Sequence, residues 1–176
     1  MRVLAATLAF AIVGTAAFAQ NAPKALYNKS IIMSFGIAQA LKAPDGRVIN
    51  PGFSREMIIY VSSAGRLFNR STGHSAGGSR IVQTTHRGPD EAAPGGGGWQ
   101  FQGNQMVGGR ALVSGATRSM VTFDASFSSC NLIVIFGKEE GKALKTRGID
   151  GVEYEVISMS AVHPSCKIQD GNVFAK

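Results

Sequence analysis

Ser75 sits in Gly73-His74-Ser75-Ala76-Gly77, the G-x-S-x-G spacing of a nucleophilic serine. That chemistry wants the hydroxyl on a strained strand-to-helix turn, with glycines where side chains would clash. A base and an orienting acid must lie within hydrogen-bond reach. Chain order permits Ser75, then Asp124 or Asp150, then His163. The surroundings argue the other way. Arg80 to Gly98 is polar and glycine-rich where a helix should follow. No strand–helix alternation builds a parallel sheet, and no HGGG-type oxyanion segment lies upstream. A small serine hydrolase using Ser75, His163 and Asp124 is therefore the alternative, and a non-catalytic protein the main expectation.

The other chemistry-bearing residues are sparse. His74 and His86 lie too far apart for a local ligand pair; Asp90 or Glu91 would have to complete any metal site, and none is expected. No cofactor is expected either. His163-Pro164 reads as a turn before Cys166. Asp90-Glu91 and Glu139-Glu140 are adjacent acids that point apart, so they read as solvated charges. Trp99 reads as a core or lid residue, with ligand stacking as the second reading. Cys130 and Cys166 are the two cysteines. They form no CxxC pair and are too few for a closed zinc site. A disulfide is the expectation. Across 36 positions it would remove about 4 kcal/mol of unfolded-chain freedom in the loop-entropy model.

The elements that must position these residues are strands. Ile31, Met33, Phe35 and Ile37 alternate with Ser34 and Gly36, the period of a strand with one face on a core. Pro44-Asp45-Gly46 and Asn50-Pro51-Gly52 are turn signals. Met57 to Val61 and Arg66 to Arg70 flank Ser62-Ser63-Ala64-Gly65 and read as a hairpin. Residues 71–98 end in four consecutive glycines and read as one long glycine-rich loop, interrupted at most by a short strand at Arg80 to Thr84. Strands resume around Trp99, Met106, Arg110 and Met120. Cys130 to Phe136 is apolar on both faces and reads as a central strand buried on both sides. Gly137 to Gly151 reads as a charged loop with one helical turn around Ala143-Leu144, and Val152 to Met159 as a strand. The sum is an all-β fold: a single antiparallel domain of about eight short strands, a small barrel or sandwich, over residues 20–176.

Residues 1–19 read as a signal peptide: Met1-Arg2, an apolar run from Val3 to Val13, then Ala17-Phe18-Ala19 as the cleavage site. That places the chain in the periplasm or outside the cell, where cysteines pair. No later segment is apolar enough for a membrane-spanning helix. The net charge of +7 is scattered, with no basic stripe, which argues against nucleic acid and for weak attraction to anionic envelope surfaces or polysaccharide.

Three stretches resemble known families. Gly73 to Gly78 is similar to the GHSAGG segment of α/β-hydrolase esterases, which would imply the serine chemistry above. Gly97-Gly98-Trp99 resembles the G-x-W of lipocalins, which would imply a barrel around a small apolar ligand, although that family places the motif on its first strand. The leader, Tyr60 to Phe68, Phe127-Ser128-Ser129-Cys130 and Gly171-Asn172-Val173-Phe174 together resemble small uncharacterised exported proteins of Gram-negative, especially rhizobial, bacteria. That resemblance implies an exported location and no activity. The expected function is an exported binding or envelope-associated module whose partner is a small ligand, a polysaccharide or an envelope protein. A structural accessory to another envelope protein is a further alternative.

Overall fold

The computed structural model describes residues 22–75, 81–88, 98–112, 115–148 and 150–175, with the side chains of 81–86, 110–112 and 175 left aside. Residues 1–19, where a signal peptide is expected, and most of the glycine run lie outside these residues. Among the described residues eleven strands follow in order: β1 (Lys29–Lys42), β2 (Val48–Ile49), β3 (Phe53–Val61), β4 (Leu67–Ser75), β5 (Ile81–Arg87), β6 (Gln100–Gln102), β7 (Gln105–Leu112), β8 (Gly115–Phe123), β9 (Cys130–Lys138), β10 (Lys145–Arg147) and β11 (Glu153–Asp170). They form two antiparallel sheets. The larger runs β10-β11-β1-β3-β4-β5, with β2 also on β1; the smaller runs β6-β7-β8-β9. Neither sheet closes on itself, so of the two expected architectures the sandwich is the one found.

The period-two pattern of β1 explains the core. Ile31 and Met33 are fully buried and Phe35 nearly so. They lie beside Ile59 and Val61 of β3 and face Phe101, Met106, Val121, Phe123 and Leu132 from the smaller sheet. Full burial of each such side chain contributes roughly 1.5–3 kcal/mol, so a few of them outweigh a disulfide. The β3–β4 hairpin turns where expected, with Gly65 at φ +77° and its N–H donating to the Ser62 carbonyl at 3.0 Å. The two ends of the domain meet: Lys29 pairs with Asp170, and the Gly171 N–H donates to the Asn28 carbonyl at 2.7 Å.

Cys130 and Cys166 are bridged, with Cα atoms 5.5 Å apart. The bond ties the start of β9 in the smaller sheet to β11 in the larger. Cys166 belongs to an eighteen-residue strand and lies opposite Met33, not in a loose tail.

Three expectations are corrected. First, β9 is an edge strand, not a central one. Its inward Leu132 is buried, but Ile133 and Ile135 point outward, 41% and 54% exposed. Apolar residues on both faces identify a strand without saying what covers its second face. Second, the long loop is shorter than its composition suggests. Ser71 to Ser75 completes β4, and Ile81 to Arg87 forms β5 against it. Gly73 is a strand residue because the Phe53 ring occupies its side-chain space: a Cβ there would come within 2.5 Å of Phe53 Cζ. Third, Ala143-Leu144 forms no helical turn. Leu144 is buried, and its carbonyl accepts the Val156 N–H at 2.7 Å.

Candidate functional site

The outer face of the larger sheet contains a defect. β3 pairs with β1 only as far as Phe53 opposite Ile37, and β2 takes over at Ile49 opposite Leu41. Between them, Ala38 to Ala40 lack a strand partner on that side. The segment Asn50-Pro51-Gly52 borders the gap, and Pro51 has no N–H to extend the ladder. A cleft of about 690 Å³ results, lined among others by Asn50, Ser54, Ser75, Ser158 and Ser160.

A second pocket of about 290 Å³ adjoins it, lined by Ser34, Phe35, Gly36, Ser54, Arg55, Glu56, His74 and His163. Gly36 and Ser54 line both, so the two form one groove across the strands. The register explains its composition. Ser54 stands between Gly36 and His74, and Glu56 between Ser34 and Thr72. Gly36 is held by close approach: a Cβ there would come within 2.8 Å of Val162 Cγ2. Ser34 and Ser165 share a hydrogen bond at 2.7 Å on the neighbouring row.

His163 reaches this groove through a bulge. Ser34 pairs with Ser165 and Gly36 with Val162, which leaves His163 and Pro164 opposite Phe35 alone. His163 has φ +51°, a left-handed conformation that costs a non-glycine residue on the order of 1 kcal/mol or more. A bulge also tolerates a proline, since its missing N–H leaves no broken ladder bond. The expected turn at His163-Pro164 is thus a bulge inside β11.

The hydrolase residues are not assembled. Gly73, His74 and Ser75 are extended and paired with Arg55, Ser54 and Phe53, so the serine is on a flat strand and not on an elbow. β5 begins at Ile81 and pairs antiparallel with β4, with a register shift at Gly73–His74. Ser75 lines the larger cleft and His163 the smaller pocket. Asp124 lies in the β8–β9 turn on the other sheet. Its carboxylate accepts from the Ser126 and Ser128 hydroxyls, each at 2.7 Å, and from the Ser128 and Ser129 N–H groups. These bonds, led by the Ser128 hydroxyl, hold it far below the usual carboxylate range. Asp150 accepts the Tyr154 hydroxyl at 2.7 Å and the Val152 N–H, and is lowered for the same reason. Both acids staple turns, and neither lines the groove.

Trp99 packs against the main core, over Gly108, where a Cβ would come within 2.6 Å of the indole. It lines neither part of the groove. His86 lies on β5 opposite Arg70, and Asp90 and Glu91 fall outside the described residues. Among the described residues no three His, Cys, Asp or Glu side chains converge as metal ligands.

Sequence reasoning missed the residues that line most of the groove: Ser54, Ser158, Ser160 and Asn50. The available signal was small side chains at period two, Ser34-Gly36-Ala38-Ala40 and Ser158-Ser160, on strand faces that would ordinarily carry longer polar groups. No family model, no curated protein and no solved structure matches the chain. No helix of the described residues is long and apolar enough to cross a membrane.

Proposed function

We propose that the protein is an exported, non-catalytic binding module that holds a neutral polysaccharide along the groove on its larger sheet. The observation that carries this reading is the lining of the larger cleft: small residues as floor, with serine hydroxyls and the Asn50 amide around them, and the charged and imidazole groups Arg55, Glu56, His74 and His163 confined to the adjoining pocket at one end. A sugar chain presents hydroxyls that both donate and accept, and serine matches them in kind. Such hydrogen bonds contribute only about 0.5–1.5 kcal/mol each, so a long open groove suits a repeating polymer better than a compact ligand. Export rests on the N-terminal leader pattern and agrees with the disulfide; the location is periplasmic or secreted.

The test is affinity electrophoresis in gels containing dextran, laminarin or extracellular polysaccharide from a rhizobial host. Ser54 lines both parts of the groove, so S54W blocks it at the centre; S160W blocks one end. Each should weaken binding about tenfold or more, a loss of about 1.4 kcal/mol, with the thermal midpoint retained. A wild type that no glycan retards overturns the function. Retardation unchanged in both variants overturns the site.

A further inference from the structure

The larger cleft opens on the edge of a strand. Gly36, Ile37, Ala38, Gln39 and Ala40 all line it. Successive residues of a strand point to opposite faces, so a cavity over one face would meet only alternate ones. An unbroken run means that the cleft looks at the backbone of β1 from the side. The register says why that side is open. β3 leaves β1 at Phe53 opposite Ile37, and β2 joins at Ile49 opposite Leu41. On the other side the same stretch is paired with β11, Ala38 with Ser160 and Ala40 with Ser158. In an antiparallel strand alternate residues direct both N–H and C=O to the same neighbour. Either Ala38 and Ala40 or Gln39 therefore turns a donor and an acceptor into the cleft, and backbone groups of this kind require partners.

The gap selects its occupant. A complementary group carries one N–H and one C=O on a planar trans amide, as the missing strand would. A peptide strand is a poor fit, because β2 and β3 close the gap at both ends and leave only Ala38 to Ala40 to pair with. A single amide projecting from a polymer fits. Ile37 and Phe53 stand beside the gap as apolar cover for a methyl group. Asn50, Ser54, Ser158 and Ser160 supply partners for ring hydroxyls. Among the described residues no charged side chain lines this cleft, so neither a carboxylate nor an ammonium finds a partner in it. Given that the groove holds a neutral glycan, we infer that the glycan is a polymer of N-acetylated amino sugars, and that one acetamido group completes the interrupted ladder of β1. Its N–H donates to a β1 carbonyl and its C=O accepts from a β1 N–H.

The experiment is isothermal titration with three hexamers of the same linkage: chitohexaose, its de-N-acetylated form and cellohexaose. Chitohexaose should bind about tenfold tighter than cellohexaose, since it adds two hydrogen bonds. The de-N-acetylated hexamer should bind no tighter than cellohexaose. Amide hydrogen exchange reads the edge itself: chitohexaose should slow at least one amide among Ala38, Gln39 and Ala40 about tenfold, and cellohexaose should not. S54W should weaken chitohexaose binding with the thermal midpoint retained. Equal affinity for chitohexaose and cellohexaose, both weakened by S54W, leaves the glycan groove standing and overturns the acetamido inference. Tight binding of chitohexaose without protection of these amides overturns it as well. Protection by acetyl-Ala-Ala-Ala-amide but not by chitohexaose overturns it in favour of a strand ligand. If no hexamer binds and no polysaccharide gel retards the protein, the glycan reading itself falls and takes the inference with it.

Discussion

The two outer faces of this sandwich are built on the same core and share almost nothing else. The larger sheet presents serine, glycine and alanine around a break in its hydrogen-bond ladder, with Glu56, His74 and His163 at one end. Part of that face is roofed by the chain's own end: the Phe174 ring lies 5.3 Å from the Arg70 guanidinium, and the Val173 N–H donates to Ser30 Oγ. The smaller sheet presents Ile133 and Ile135 with the single cation Arg118 beside them. The inward positions are interchangeable aliphatic and aromatic residues. What distinguishes the sheets lies on the alternate positions, which the core leaves free to vary.

Removing shared support should abolish the contrast altogether. Met33 is fully buried between the sheets, so M33A should cost about 2–5 kcal/mol, read as a shift of the urea midpoint, and should weaken both faces together. Cutting the disulfide should sharpen it. A C130S/C166S protein loses about 2–4 kcal/mol of constraint, and the loss falls on an edge strand. Hydrogen exchange should then show the amides of β9 losing more protection than those of β3, which is paired on both sides. Equal loss in both strands would mean that the sheets open as one unit.

Acid gives the smallest effect. Asp124 staples a turn of the smaller sheet and Asp150 a turn of the larger, and both are held below the ordinary carboxylate range by hydrogen bonds. Groups lowered in the folded state add stability that is present above the unfolded value of about 3.9 and is lost as pH falls through the folded value. Stability measured from pH 7 downward should therefore decline below about pH 4. D124N should be less stable than wild type at neutral pH, and the difference should shrink as the solution becomes strongly acidic. A difference that does not change with pH would show that the turn depends on shape and not on charge.

Much of this architecture was legible in the residues. The alternation from Ile31 to Ile37 located β1, Ser62 to Gly65 located its neighbouring hairpin, and the cysteine pair anticipated the bridge. Two failures have one cause. Ile133 and Ile135 suggested a central strand, and Gly73 suggested a loop, because a residue's type does not reveal which partner stands against it. Whether an isoleucine is covered by a sheet, or a glycine by the Phe53 ring, is settled by tertiary contact. The groove was harder still to foresee. Small residues at period two mark a strand face without saying which strands meet, and Ser54, Ser75 and Ser160 come together only because β3 and β11 flank β1 and β4 follows β3 within one sheet. The motif around Ser75 is ordinary strand over its described part, Gly73 to Ser75.

The meeting of Asn28 with Gly171 has a practical outcome. Since both ends emerge at one spot, a short linker can join them and a fresh cut can be made at the exposed Ser63-Ala64 tip. A circularly permuted protein made this way should keep its bridge and both faces. By the same geometry the domain can be spliced into a surface loop of an unrelated host, entering and leaving without stretching it.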